Sequence, residues 1–306
     1  MRTLLILLTL FSFSCAGSPN REVGRFQGRE RSWLLHLPPG GAAGQPLVLA
    51  LHGGGGTAEG LDALAEGALT REAARRGYVL VFPEGVDKGW NDGRPPGNAR
   101  DQRRQAVDDV AFLDGLIDHL VQAHALDRTR VFLTGMSNGG FMVQRFALDR
   151  AFKVAAIAPV VATVAQAWAH LRPARPVPAL YILGTHDPLV PYGGGTMEVF
   201  GARRGVVRSG PDSAAHWASL NGCSHPPTRE VVPDRAPHDD TRAVVDRFAC
   251  AAPVELWTLQ RGGHTWPRGK QYLPRIMVGV VSEEVDTALI FDFFARMGEQ
   301  RRLESR

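Results

Sequence analysis

Short, continuous apolar runs recur along the chain: "PLVLALH" (46–52), "YVLVFP" (78–83), "RVFLTG" (130–135), "KVAAIAPV" (153–160) and "PALYILG" (178–184). Runs of this length, rich in Val, Ile and Leu and without polar alternation, are typical of strands covered on both faces. Between them lie segments of helical composition or period. Residues 58–76 are rich in Ala, Leu, Glu and Arg; in 106–124, Val110, Leu113, Ile117 and Leu120 fall on one face; a third segment covers 138–149. The alternation predicts an α/β fold, a mainly parallel sheet with helices on both faces. "RSWLLHLP" (31–38) is expected to start the sheet and "PVELWTLQ" (253–260) to supply a late strand. "SEEVDTALIFDFFARM" (282–297) reads as the last helix, opened by Ser282 as its cap, with an arginine-rich tail at 301–306 expected to fray.

Two polar stretches interrupt this rhythm. Residues 84–105 carry several glycines and two prolines and are too long for a plain connection, which points to a binding loop. Residues 223–240 form the second. With no internal repeat and no linker, residues 21–300 read as one catalytic-sized domain.

Composition narrows the function classes. Of 306 residues, 44% are hydrophobic and 22% charged, enough for a sizeable core, and the net charge is +4. The basic residues are nearly all arginine and are interspersed with acids, without the concentrated tract that nucleic-acid binding requires. The start, "MRTLLILLTLFSFSCAGSPN", places Arg2 before an apolar run and then small polar residues, the layout of a secretory signal over residues 1–20. That run is too short to span a bilayer. Ser14-Cys15-Ala16-Gly17 is similar to a bacterial lipoprotein processing site, although Ser12 stands where leucine is usual and Phe13 is bulky. Two fates stay open: a lipid anchor on Cys15, or a cut nearby and a freely released product. Cys223 and Cys250 remain as an even pair in an export-compatible chain, and a disulfide between them is expected.

The candidate chemistry centres on "GMSNGG" (135–140). A GxSxG alone is weak, but Ser137 directly follows a buried-type strand and opens a helix, the context of a nucleophile on a tight, strained turn. The helix N-terminus then faces the reacting carbonyl, and the Asn138 backbone N–H is a candidate oxyanion donor. A serine hydroxyl needs a base and an acid to orient it. Asp187 lies just past a strong strand, where the acid is expected. Among His216, His225, His238 and His264, only His264 sits in a glycine-flanked loop after a strand, "RGGHTWPRG", where Trp266 is placed to wall off water. "LHGGGG" (51–56) offers a second oxyanion donor at Gly54, with Gly53 left open; it lacks the Gly-Lys-Ser/Thr ending of a phosphate loop. No histidine or cysteine spacing suggests a metal, and no cofactor is expected. Trp90, in the first polar loop, either stacks on a substrate ring or pins the loop. Asp108 and Asp109 suit a helix start.

With these residues placed, the chain resembles the polyhydroxybutyrate depolymerase and feruloyl or acetylxylan esterase group. The matching stretches are "LHGGGG", "GWNDGR" (89–94), "VDDVAFL" (107–113), "GMSNGG", "GTHDPLVPY" (184–192) and "GGHTWP" (262–267). The resemblance implies an α/β-hydrolase fold and Ser137, His264 and Asp187 as nucleophile, base and acid. Polymer depolymerases of this group usually carry a polymer-binding domain after the catalytic part, so a soluble ester is expected: hydroxycinnamoyl or acetyl esters of sugars, or short hydroxyalkanoate oligomers. Arg268 and Lys270 follow "HTWP" where relatives often have glycine; they read either as a contact for acidic ligands or as a solvated loop. A serine peptidase on the same fold and a non-catalytic saccharide- or polyester-binding surface lipoprotein are the competing readings.

Overall fold

The computed structural model describes residues 20–304. Cys15 and the rest of the expected leader up to residue 19 lie outside the described residues. The strands are β1 (Asn20–Phe26), β2 (Arg29–His36), β3 (Leu47–Leu51), β4 (Val79–Pro83), β5 (Val131–Met136), β6 (Ala156–Val160), β7 (Ala179–Gly184), β8 (Gly195–Val199), β9 (Ala202–Val207), β10 (Thr228–Val231), β11 (Arg242–Phe248) and β12 (Val254–Gln260). The α-helices are α1 (Ala58–Leu64), α2 (Ala68–Arg76), α3 (Ala99–Arg104), α4 (Asp109–Ala123), α5 (Asn138–Asp149), α6 (Gly210–Leu220), α7 (Arg275–Val278) and α8 (Thr287–Glu304).

Ten strands form one sheet in the order β1-β2-β4-β3-β5-β6-β7-β12-β11-β10, and β8 and β9 form a separate hairpin. The six strands from β4 to β12 are parallel, as the apolar runs predict. Antiparallel strands extend the sheet at both edges. β1 precedes the strand expected to open the sheet, and its alternating exposed and half-buried residues explain why no apolar run announces it.

Period-two alternation divides the core in two. Leu47, Leu49 and Leu51 of β3 pack with α4, α5 and α6 on one face, while Val48 and Ala50 pack with α1, α2 and α8 on the other. In α4 the predicted stripe holds: Leu113, Ile117 and Leu120 are fully buried and Val110 packs at its margin. The segment 58–76 is two helices, broken at Gly67, whose φ of 70° is left-handed.

The last helix starts later and runs further than expected. Ser282 does not cap it; this side chain is buried and bonded to the Thr241 hydroxyl at 2.8 Å. Asp286, closer to the apolar run, accepts instead from the Ala288 N–H at 3.0 Å, and the helix continues to Glu304, into the segment expected to fray. The expected disulfide joins Cys223, just after α6, to Cys250, between β11 and β12. It therefore lies at the start of β12, opposite the end that carries the candidate site.

Candidate active site

The loops that follow the C-terminal ends of β3, β5, β7 and β12 carry the predicted residues, the end of a parallel sheet where ligands bind. β5 ends at Met136, and the next residue, Ser137, has φ 54° and ψ −119°. A positive φ is unfavourable for a side chain with a Cβ. Two bonds hold it there: the Ser137 N–H donates to the Val160 carbonyl at 2.9 Å, and the Ser137 carbonyl accepts from the Phe141 N–H at 2.8 Å. Asn138 is the first residue of α5, so its N–H has no partner within the helix. The turn closes because residue 139 is glycine: a Cβ there would overlap the Leu51 carbonyl and stand 2.6 Å from that of His52.

The Asn138 side chain anchors the loop of residues 84–105. Its Oδ1 accepts from the Trp90 N–H at 2.8 Å, and its Nδ2 donates to Asp92 at 2.7 Å and to the Trp90 carbonyl at 3.1 Å. The Trp90 indole donates to the His52 carbonyl at 2.9 Å and is buried against the His52 ring. Of its two readings, the loop pin is the one the geometry fits; the ring is not open for stacking on a substrate. Asp109 holds the same loop from behind, accepting from the Asn91 N–H at 2.7 Å while paired with the buried Arg31 at 2.8 Å. Asp108 caps α4 through the Ala111 N–H.

Asp187 and His264 meet. Asp187 Oδ2 lies 2.7 Å from His264 Nδ1, both side chains nearly fully buried. The other carboxylate oxygen, Oδ1, accepts from the N–H groups of Leu189 and Val190, each at 2.8 Å. The carboxylate therefore has one oxygen fixed by its own turn and one directed at the imidazole. With Nδ1–H given to Asp187, Nε2 is the open, basic nitrogen of the neutral ring. The Tyr272 hydroxyl donates to the His264 carbonyl at 3.1 Å; burial, then the Asp187 charge, raise its pKa well above the ordinary range, so it stays a neutral donor.

Ser137, Asn138, His264 and residues 52–56 line one cavity of about 790 Å³. Within the glycine loop His52 is a structural group: its Nδ1 faces the Gly53 carbonyl at 2.8 Å and its Nε2 accepts from the Gly85 N–H at 3.0 Å. Burial lowers its pKa to about 4, which keeps it neutral. Trp266 does not line this cavity. It is fully buried and donates to the Thr287 hydroxyl at 2.9 Å, so it supports the His264 loop from behind rather than contacting a substrate. Arg268 and Lys270 also lie away from the cavity; the Arg268 side chain donates to the Glu283 carbonyl.

Several lining groups went unnoticed in the sequence: Met197, Val199 and Phe200 of the β8–β9 hairpin, Tyr272, and arginines of the 84–105 loop and α3. Among the described residues, no group of three or more His, Cys, Asp or Glu side chains is placed to hold a metal ion.

Comparison with known proteins places the chain among esterases. Residues 31–172 match the family model described as "Esterase PHB depolymerase". The chain is 32% identical over 278 residues to "Putative esterase NocK" of Nocardia uniformis subsp. tsuyamanensis, covering 85% of this chain and 78% of that protein. It is 26% identical over 250 residues to "Feruloyl esterase B" of Piromyces equi, covering 78% of this chain but 44% of that one. In fold it is similar to the acetyl xylan esterase from Aspergillus awamori, with a TM-score of 0.61 at 12% identity over 91% of this chain and 99% of the other. The chain thus belongs to the PHB depolymerase esterase family and is a carboxylic ester hydrolase on an α/β-hydrolase fold.

Proposed function

We propose that the chain is an exported serine esterase with Ser137 as nucleophile, His264 as base and Asp187 as the acid that orients it. Ser137 Oγ attacks the ester carbonyl while His264 Nε2 takes its proton. The N–H groups of Asn138 and Gly54 hold the oxyanion, and His264 then delivers the proton to the leaving alcohol. Water, deprotonated by His264, cleaves the acyl-serine and restores the enzyme. The observation that carries the reading is the juxtaposition in one cavity of a strained serine at a helix start with an imidazole whose Nδ1 is fixed on a buried carboxylate.

The substrates proposed are feruloyl or acetyl esters of sugars and short hydroxyalkanoate oligomers, in keeping with the names of the related esterases. Residues 21–300 act as one catalytic domain, and residues 1–20 are the export signal, with Cys15 a candidate lipid anchor. Mass spectrometry of the exported protein's N-terminus tests this last point, since a free unmodified terminus excludes the anchor.

Replacing Ser137 by alanine is expected to lower kcat on aryl esters by about 10⁴-fold or more while the melting temperature stays within a few degrees of the parent. Labelling by a fluorophosphonate must vanish with it. Retained turnover in Ser137→Ala removes the assignment.

A further inference from the structure

The cavity is lined by two unlike sets of side chains. One is apolar, with Leu61, Leu64, Leu189, Met197 and Leu273. The other is Arg94, which meets Met197 of the first set at 3.3 Å, with Arg100, Arg103, Arg104 and Arg204, and no carboxylate lines the cavity. The carboxylates that answer these guanidiniums stand behind them and are fewer. Asp92 pairs with Arg94 at 2.6 Å, and Asp101 is shared by Arg104 and by Arg204, the latter at 2.9 Å. Asp87 lies 3.6 Å from Arg103, both exposed, and among the described residues Arg100 has no ion-pair partner. Five guanidiniums face three carboxylates, an excess of two positive charges.

A second, independent feature marks the same arginines. The Nε atoms of Arg104 and Arg204 are buried and without an acceptor, and the Arg104 side chain is only 5% exposed. A buried charged donor lacking an acceptor is unfavourable, which leaves these two cavity-lining guanidiniums under-compensated by the protein. This charge is also close to the candidate chemistry. A Cβ built on Gly89 would stand 2.9 Å from the Arg104 guanidinium carbon and 3.1 Å from Asn138 Oδ1, so both flank one backbone position, and Asn138 adjoins Ser137.

We propose that the preferred substrate is an ester bearing a carboxylate on its acyl or alcohol part. That carboxylate docks on the arginines while the rest of the molecule lies on the apolar lining. The proposal rests on the esterase reading of Ser137 and His264 and adds the charge class of what they cleave.

The test compares matched esters: 4-nitrophenyl hemisuccinate with 4-nitrophenyl butyrate for charge on the acyl side, and 4-acetoxybenzoate with 4-acetoxybenzamide for charge on the alcohol side. At low salt at least one anionic ester is expected to show kcat/KM about tenfold above its neutral partner. That ratio should fall toward one as sodium chloride rises from about 20 to about 500 mM, because partly exposed charges are screened. In Arg100→Gln/Arg103→Gln, both exposed positions, the ratio should drop severalfold, and the Glu double variant should reverse it. Neutral esters cleaved as well as both anionic ones, or a ratio indifferent to salt and to these variants, overturns the proposal and leaves the esterase reading standing. Failure to cleave any of the four, with no fluorophosphonate labelling, refutes the esterase reading and the proposal with it.

Discussion

Asp187 is held by more than its partner histidine. Because Oδ1 receives two backbone N–H groups, an asparagine there must turn its carbonyl oxygen toward Leu189 and Val190 and its amide NH₂ toward His264. That NH₂ donates where the carboxylate accepted, so Nδ1 becomes the acceptor and the proton moves to Nε2, the nitrogen proposed to act as base. Asp187→Asn should therefore fold normally yet lose about 10³–10⁴-fold in kcat, as measured with a soluble aryl ester alongside a thermal melt. A loss in melting temperature matching the loss in rate would assign Asp187 a structural role instead. At this scale the placement of Asp187 beside His264, and of His264 in one cavity with Ser137, is legible in the sequence, because Ser137, Asp187 and His264 lie just after strands in that order. The tryptophans are not: a Trp in a polar loop has the same local sequence whether its ring faces a cleft or the core. Only tertiary packing puts Trp90 on His52 and Trp266 on Thr287.

Among the elements, α5 and β3 meet where no side chain fits. Gly139→Ala would push a Cβ into the Leu51 and His52 carbonyls, which belong to backbone and cannot rotate away. A loss of about 3 kcal/mol or more in unfolding free energy is expected by denaturant titration, together with lost activity, because the same shift moves the Ser137 turn. The disulfide should behave differently. It closes a separation of 27 residues, so Cys223→Ser/Cys250→Ser should cost about 3–4 kcal/mol of stability on the chain-entropy model. Activity at 25 °C should persist, because the bridge lies at the opposite end of β12 from His264. Five of the six parallel strands could be read from sequence as apolar runs, since burial on both faces makes them largely apolar; β12, which carries Glu255 and Thr258, was expected as a late strand without such a run. The edge strands could not. β10 is exposed throughout, β1 alternates with charge, and the β8–β9 hairpin that supplies part of the cavity has mixed burial. Their positions are set by pairing to neighbours rather than by an apolar signal of their own.

For the molecule as a whole, charge is unevenly placed in a way that its +4 total does not reveal, with arginines lining the cleft and buried pairs behind them. His52 links that interior to solution pH. Burial foremost, with the charges of Arg31 and Arg104 adding to it, lowers its pKa from about 6.5 to about 4, against an opposing hydrogen bond to Gly53; Glu84 lies 3.5 Å from its Nε2. Above pH 6.5 the ring is neutral folded or unfolded, and no stability depends on pH through it. As pH falls from 6.5 toward 4 the unfolded chain gains a proton that the folded one refuses, so folding loses up to about 3 kcal/mol over that window and no more below it. Protonation would also place a second donor opposite the Gly85 N–H. His216, likewise lowered to about 4 by burial but only half-buried, contributes a smaller share in the same direction. Glu84, whose pKa burial raises, contributes in the opposite direction. The separation comes from comparing slopes: urea unfolding of the parent and of His52→Gln between pH 7.5 and 4. Glutamine retains an acceptor for Gly85 but does not titrate. The variant should start less stable at pH 7.5 and lose stability more gently on acidification; equal slopes would exclude His52 as an origin of the acid sensitivity.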